Sequence, residues 1–383
     1  MNDPFPTPWG ELALRRFPED PRDRLRAWDA ADAYLLRHLD EHGPEKTAPV
    51  VVGDRWGALT TALAERGPVL ITDSYLAREA TKSNLAAAGY DDTAATLLTT
   101  RDEPPAQVDL LLVRVPKSLG LLEDQLRRLA PAVHAGTVVL GTGMVKEIHT
   151  STLRLFEDIL GPTTTSLAER KARLIFCRPE RGLSPGPNPW PLRYRLPEDI
   201  GVLSGRWVTN HAGVFCADRL DIGTRFFLGQ LPHGLGEADV ADLGCGNGLV
   251  GTAVALTEPR ARVHFTDESY QALASARATY EENLGPDDER ARFSVGDALT
   301  GFSPASLDLV LCNPPFHSHQ ATTDAAARRM FTSAHRALRT GGELRIVGNR
   351  HLGYHALLRR LFGGCQLVAS DPKFVVLRAV KRR

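Results

Sequence analysis

The sequence predicts an α/β protein built as two tandem, doubly wound domains related by duplication, and three observations carry that reading. Short apolar runs alternate with amphipathic helical stretches, the rhythm of strand–helix–strand units around a parallel sheet. The chain has 383 residues, long for one domain and natural for two of roughly 150–200 residues. The second half also repeats the order of the first. Val240-Ala241-Asp242-Leu243-Gly244 answers Val50-Val51-Val52-Gly53, and Val263 to Tyr270 answers Leu70 to Tyr75. Leu307 to Leu311 answers Val108 to Leu112, and Leu338 to Val347 answers Leu129 to Leu140. Two unrelated α/β domains, which share this rhythm, are the alternative.

In chain order, residues 1–26 are rich in Pro and Arg and read as an extension with little core. Trp28 to Leu39 is helical in pattern. Pro49 to Val52 is a short apolar strand that runs into a glycine turn and a helix start, and Val69 to Asp73 is a strand ending on an acid. Val108 to Val115 is a buried strand closed by Pro116-Lys117. Leu119 to Leu129 is an amphipathic helix, Thr137 to Gly141 a strand, and Leu153 to Leu160 a helix. Gly182 to Pro191 breaks every pattern with its Gly and Pro content and is the linker candidate. The expected division is an extension at 1–26, a first domain at 27–180, a linker at 181–195 and a second domain at 196–383.

Composition bounds the function. Hydrophobic content of 43% with 24% charged residues describes an ordinary globular protein. No apolar run approaches the ~20 residues of a membrane span, and the start, Met1 to Pro6, lacks the basic and apolar regions of a signal peptide. The expectation is a cytoplasmic monomer. The five cysteines are scattered without a C-x-x-C pair, which suggests reduced thiols rather than a disulfide frame or zinc site. A net charge of zero argues against coating nucleic acid by bulk charge but leaves room for a local basic face. Basic residues do cluster, at Arg22/Arg24/Arg26, Arg170/Lys171/Arg173, Arg328/Arg329, Arg359/Arg360 and Lys381/Arg382/Arg383. Each cluster taken singly fits a solvated helix face or tail.

The chemistry gathers in the second half. The apolar run Leu307 to Cys312 stops at Asn313-Pro314-Pro315-Phe316, where two prolines fix φ and remove N–H donors. The stiff loop offers an amide, a carbonyl and a ring, the parts needed to hold a planar amine. It resembles the catalytic loop of amino-group methyltransferases that use S-adenosylmethionine; a Pro-rich turn with a core Phe is the bland reading. Upstream, Asp242-Leu243-Gly244-Cys245-Gly246-Asn247-Gly248 follows a strand and opens a helix, so backbone can approach a ligand there. Gly246-x-Gly248-x-x-Gly251 also satisfies the dinucleotide fingerprint, with Asp267 near the ribose-binding offset. Glycine spacing alone therefore does not separate NAD from S-adenosylmethionine. The Asp242 to Gly248 form, Gly296-Asp297-Ala298 after the third strand and Asn313 after the fourth jointly favour the methyl donor. Such enzymes hold the adenine amine near Asp297 and Ala298, although Asp297 by itself equally fits a turn or helix cap. Asp221 and Thr224, before the first strand of this half, fit either closure over the methionine end or a helix N-cap. His317 and His319 flank the loop without a carboxylate to complete a ligand set, so no metal site is expected.

The first half lacks these parts. Arg55 and Trp56 stand between Gly53 and Gly57, where they would crowd a cofactor out, and Arg114-Val115-Pro116-Lys117 faces the Asn313 loop. From about residue 28 onward the chain resembles the bacterial ribosomal-RNA guanine-N2 methyltransferases, which join a degenerate methyltransferase-like domain to a working one. Val115 to Leu119, Lys146 to Leu153 and Leu160 to Leu167 are similar to signatures of the large-subunit (23S) branch. The resemblance implies two Rossmann-like methyltransferase domains, with the second catalytic. It implies a guanine pocket at Asn313, Pro314 and Phe316, a cofactor loop at Gly244, Gly246 and Gly248, and a first domain that helps grip RNA. The alternatives are adenine N6, 16S guanine N2 or protein glutamine as the acceptor, or a non-catalytic RNA-binding assembly protein on a dead fold.

Overall fold

The computed structural model describes residues 4–20, 23–180, 182–183, 185–315 and 320–382, with side chains throughout except at 320–324. The described chain forms two compact units, Met1–Trp190 and Pro191–Arg383. In the first, a small hairpin of β1 (Phe5–Thr7) and β2 (Gly10–Leu12) leads to α1 (Ala30–His42). Then come β3 (Pro49–Val52), α2 (Ala58–Ala62), β4 (Val69–Thr72), α3 (Tyr75–Ala87), β5 (Thr96–Thr99) and β6 (Val108–Arg114). The unit closes with α4 (Leu119–Leu129), β7 (Val133–Met144), α5 (Thr150–Ile159), β8 (Thr163–Thr165) and β9 (Ala172–Cys177).

The second unit repeats this order. A hairpin of β10 (Leu192–Arg195) and β11 (Trp207–Asn210) precedes α6 (Ile222–Leu228), β12 (Asp239–Leu243), α7 (Leu249–Thr257) and β13 (Arg262–Asp267). There follow α8 (Tyr270–Leu284), β14 (Ala291–Val295), β15 (Leu307–Cys312), α9 (Gln320–Ala337) and β16 (Leu338–Asn349). The last elements are α10 (Tyr354–Phe362), β17 (Gln366–Ser370) and β18 (Phe374–Val380). The two sheets have the same topology, β5-β4-β3-β6-β7-β9-β8 and β14-β13-β12-β15-β16-β18-β17. The duplication expected from the sequence is therefore present strand for strand.

Near-continuous apolar strands make sense because both faces of each sheet are covered. In the first unit Val50, Val52, Leu111 and Val113 pack with α4 and α5, while Val51, Leu110 and Leu112 pack with α1 and α2. In the second, Val310 and Cys312 meet α9 and α10, and Leu309 and Leu311 meet α7 and α8. The sheets are mixed rather than wholly parallel: β9 and β18 run antiparallel to β7 and β16. Short returns from β8 to β9 and from β17 to β18 leave no room for a crossover helix, so only antiparallel pairing is open to them.

Residues 1–26 carry more core than their composition suggests. Phe5 and Leu14 are fully buried, and Phe5 stacks on Trp28 with ring centroids 4.9 Å apart. The Arg15 N–H donates to Asn84 Oδ1 at 2.8 Å, as the Thr209 N–H donates to Thr279 Oγ1 at 3.1 Å in the second unit. The segment around Arg15, just past the hairpin, is thus the first copy's counterpart of the end of β11.

Arg114 occupies the position that Asn313 holds in the second copy, one step past the equivalent of Cys312. It is 1% exposed and surrounded by acids. It donates to Asp29 at 2.6 Å, to Asp32 at 3.2 Å and to Glu147 at 3.2 Å. Arg55, at the position of Gly246, donates to Glu147 at 2.9 Å. Arg16 lies over the Trp56 ring, 4.7 Å from its centroid. The carboxyl end of the first sheet is therefore filled by an ion-pair cluster and an aromatic–cation contact. Burial alone would raise the Glu147 carboxyl, but the Arg55 hydrogen bond and the charges of Arg55 and Arg114 hold it down to about 2.

Removing one partner from a buried ion cluster leaves an uncompensated charge. Arg114→Ala is expected to cost the first unit about 3–5 kcal/mol, read as a lower denaturant midpoint for its unfolding. A midpoint unchanged from wild type would show that the cluster is solvated.

Candidate active site

Strand order reverses at β12, whose neighbours are β13 on one side and β15 on the other. In open α/β sheets ligands sit at the carboxyl ends of strands at such a point, and here that edge gathers residues from every part of the second unit.

The loop after β12 turns sharply. The Gly244 N–H donates to Thr266 O at 2.8 Å and the Gly248 N–H to Cys245 O at 2.8 Å. Gly246 has φ +54° and nothing within 4 Å of where a Cβ would lie, so its face is open. Gly248 has φ +77°, and a Cβ there would come 2.7 Å from Ala276 Cα, so this glycine lets α7 close onto α8. Asp242 lies beneath the loop at 3% exposure and accepts from the Gly251 N–H at 2.8 Å. It braces the first turn of α7. Burial, with Asp267 nearby, pushes its carboxyl up to about 7.

Asp267 ends β13, partly exposed, and accepts from the Gly246 and Ser269 N–H groups, each at 3.0 Å. Loss of hydration raises its carboxyl above the usual range while the N–H groups of Ser269, Gly246 and Glu268 oppose the shift. The carboxylate still has acceptor capacity for a ligand hydroxyl. Past β14, Asp297 is 8% exposed and accepts from Arg329 Nε at 3.3 Å. Ala298 takes a left-handed φ of +51°, and its carbonyl accepts from Thr266 Oγ1 at 3.2 Å.

At the end of β15, Asn313 Nδ2 donates to Thr224 Oγ1 at 3.0 Å. Asp221 caps α6, accepting from the Thr224 N–H at 2.7 Å and from Thr224 Oγ1 at 3.1 Å. The carboxylate can only accept, so the Thr224 hydroxyl donates to it and receives from the amide. That ordering fixes which way the Asn313 side chain faces. Its Oδ1 is buried and has no partner among the described residues. A buried acceptor left unpaired costs about 1–3 kcal/mol, so the position favours whatever donor can reach it. Pro314 is buried and Pro315 exposed. Phe316, His317 and His319 lie outside the described residues.

Asn210 and Asn247 were not evident from the sequence. Asn247 Nδ2 donates to Asn210 Oδ1 at 3.0 Å, and the fully buried Asn210 has no partner for its Nδ2 among the described residues, beside the glycine loop. The signal that finds them is the internal repeat: they stand where the first copy places Arg16 and Trp56. The repeat likewise aligns Asp221 and Thr224 with Asp29 and Asp32.

The open face of Gly246, the spare acceptor capacity of Asp267 and the orphan Asn210 donor fit a ligand with a ribose and a carboxylate. The first copy, with Arg55 and Arg16 at these positions, has no such cradle.

A carboxyl raised on folding stabilises fully below its unfolded pKa, and that contribution is lost as pH rises through the folded value. Asp242→Asn keeps an acceptor for Gly251 and removes the titration. Its stability relative to wild type is therefore expected to improve as pH rises from about 4 to about 7, measured by chemical denaturation. Parallel pH profiles for the two proteins would show that Asp242 is ionised without cost.

Residues 2–181 match the RLMG N-terminal domain family and residues 205–378 the Methyltransferase small domain family. A solved 16S rRNA N2 methyltransferase of T. thermophilus, in complex with AdoMet and guanosine, shares the fold. It aligns with a TM-score of 0.77 at 22% identity, over 99% of this chain and 98% of that one. Among curated relatives, the ribosomal RNA large subunit methyltransferase G of Streptomyces avermitilis is 72% identical over 100% of both chains. The protein of that name from Streptomyces coelicolor is 68% identical over 98% of this chain and 99% of its own length. The one from Erwinia tasmaniensis is 47% identical over 97% of each. With both halves matched and the likeness running end to end, the chain belongs to the ribosomal RNA large subunit methyltransferase G family.

Proposed function

We propose that the chain transfers a methyl group from S-adenosylmethionine to the exocyclic N2 of a guanine in large-subunit (23S) ribosomal RNA. The observation that carries this reading is the Asn313 amide, turned by Thr224 and Asp221 so that its buried Oδ1 is left without a partner among the described residues. An acceptor held in that way suits an amine that must present two N–H groups to protein and its lone pair to an electrophile.

The cofactor, when bound, supplies the electrophilic methyl group. Gly244, Gly246 and Gly248 would hold it by backbone, Asp267 by its ribose, Asp297 and Ala298 at the adenine, and the Asn210–Asn247 pair at the carboxylate. Asp242 shapes this loop from below, and Asp221 and Thr224 act through Asn313 rather than by direct closure. A guanine must leave its stack to enter the pocket. Asn313 Oδ1 and the Pro314 carbonyl accept from its amine, localising the lone pair and aiming it. Phe316 is expected to stack on the base, a contact worth about 1–3 kcal/mol. Positioning and electrostatics do most of the work, and the proton leaves to water.

The first unit is taken as an RNA-gripping partner, since its own site is filled. We take the enzyme to work as a monomer in the cytoplasm, where ribosomal RNA is made. No described helix is long and apolar enough to cross a membrane.

The test is transfer of labelled methyl groups to deproteinised 23S RNA, deproteinised 16S RNA and assembled subunits, followed by nucleoside analysis. N2-methylguanosine in the large-subunit RNA is expected; label in 16S RNA, or in N6-methyladenosine or protein, would overturn the assignment. Asn313→Ala is expected to lower kcat by at least about 10²-fold with cofactor affinity intact. Thr224→Ala should lower kcat while KM holds, and Thr224→Ser should restore it. Equal loss in the Ser and Ala variants would rule out the hydroxyl as the group that orients the amide.

A further inference from the structure

The chain is neutral as a whole, yet its charge is unevenly placed. Between Ala325 and Ser370 stand eight arginines and one acid, Glu343. Four of the eight are committed internally. Arg329 donates to Asp297, Arg339 to Asp239 and Asp308, Arg345 to Glu343, and Arg336 to the carbonyls of Leu299, Thr300 and Phe302.

The other four, Arg328, Arg350, Arg359 and Arg360, have no acidic partner among the described residues. Arg350 donates to the backbone carbonyl of Asp371, whose carboxylate is turned onto the N–H groups of Lys373 and Phe374. Arg359 meets the His355 ring at 2.9 Å. Arg328 from α9 and Arg360 from α10 line one surface depression, over Gly353 and Tyr354. The helices that carry them are held side by side by edge-on ring contacts, Phe331 to Tyr354 at 5.4 Å and His335 to Phe362 at 4.8 Å between centroids. Two guanidinium groups fixed around one depression repel each other unless an anion lies between them.

Their place matters. β15 and β16 are parallel neighbours, with Cys312 opposite Ile346. Both strands therefore leave the sheet at the same end, Asn313 from one and Asn349 followed by Arg350 from the other. The basic rim begins beside the loop that presents Asn313.

The geometry points to this rim, Arg328 and Arg360 with Arg350 and Arg359, as the surface on the catalytic unit that binds RNA phosphates flanking the target guanine. The assignment rests on the proposed function and adds where the substrate backbone docks. Arginine suits the task, because its planar fork matches phosphate oxygens in pairs. Holding the strand on either side of the base also favours its extrusion into the pocket.

The test reads binding apart from methyl transfer. Deproteinised 23S RNA is titrated against wild type, Arg328→Ala/Arg360→Ala and Arg359→Ala at several salt concentrations. The double variant is expected to bind about tenfold more weakly at moderate salt. Its plot of log affinity against log salt should be shallower by about 1.4–1.8, for two lost phosphate contacts. KM for RNA should rise while affinity for S-adenosylmethionine stays at the wild-type value, which also checks the fold. Arg260→Ala, a distant exposed arginine beside Glu237, should change none of these. Wild-type affinity and salt slope in the double variant would overturn the docking surface. If wild type instead methylates no RNA, the proposed function fails, and the salt slopes still decide whether the rim binds phosphate.

Discussion

One short chain of hydrogen bonds ties the front helix of each unit to the end of its fourth central strand. In the second unit it runs from Asn313 through Thr224 to Asp221. In the first, Arg114 reaches Asp32 and Asp29, the residues at the same two positions of its own helix. The helix cap and the strand end are thus linked in both copies, and only the chemistry of the link differs. An amide received by a hydroxyl leaves an oxygen over. A guanidinium received by three carboxylates leaves no group over, and the crevice is closed.

The same exchange explains how one fold carries an open and a filled crevice. Three features that open the second crevice have bulky counterparts in the first: Arg55 for Gly246, Arg114 for Asn313, and Arg16 on Trp56 for the Asn210–Asn247 pair. The orphan atoms of the second site are a cost that a ligand offsets. In the first unit the Arg114 guanidinium at the matching position is met on all three nitrogens.

What was legible in the sequence was what is coded locally. Glycines at Gly244, Gly246 and Gly248, an acid at the end of the next strand and a double proline after Asn313 are each set within a few residues. Partners set by topology were not legible. Thr224 and Asn313 are 89 residues apart and Asn210 and Asn247 are 37 apart, and no spacing rule brings them together. The antiparallel last strands and the buried Phe5 were missed for a related reason. Strand direction follows from how short the returns are, and the core value of an N-terminal segment follows from what it folds back onto. The repeat was the one long-range signal available, and it aligns the two helix caps correctly once the copies are superposed.

The buried cluster around Arg114 has a consequence for descent. A single exchange back toward the active pattern, Asn for Arg114 or Thr for Asp32, leaves carboxylates facing one another or a guanidinium short of a partner inside the protein. Intermediates of that kind are strongly disfavoured in buried ion clusters. Return would require several positions to change together, each harmful alone. The filled copy is therefore locked: none of these substitutions alone reopens its crevice.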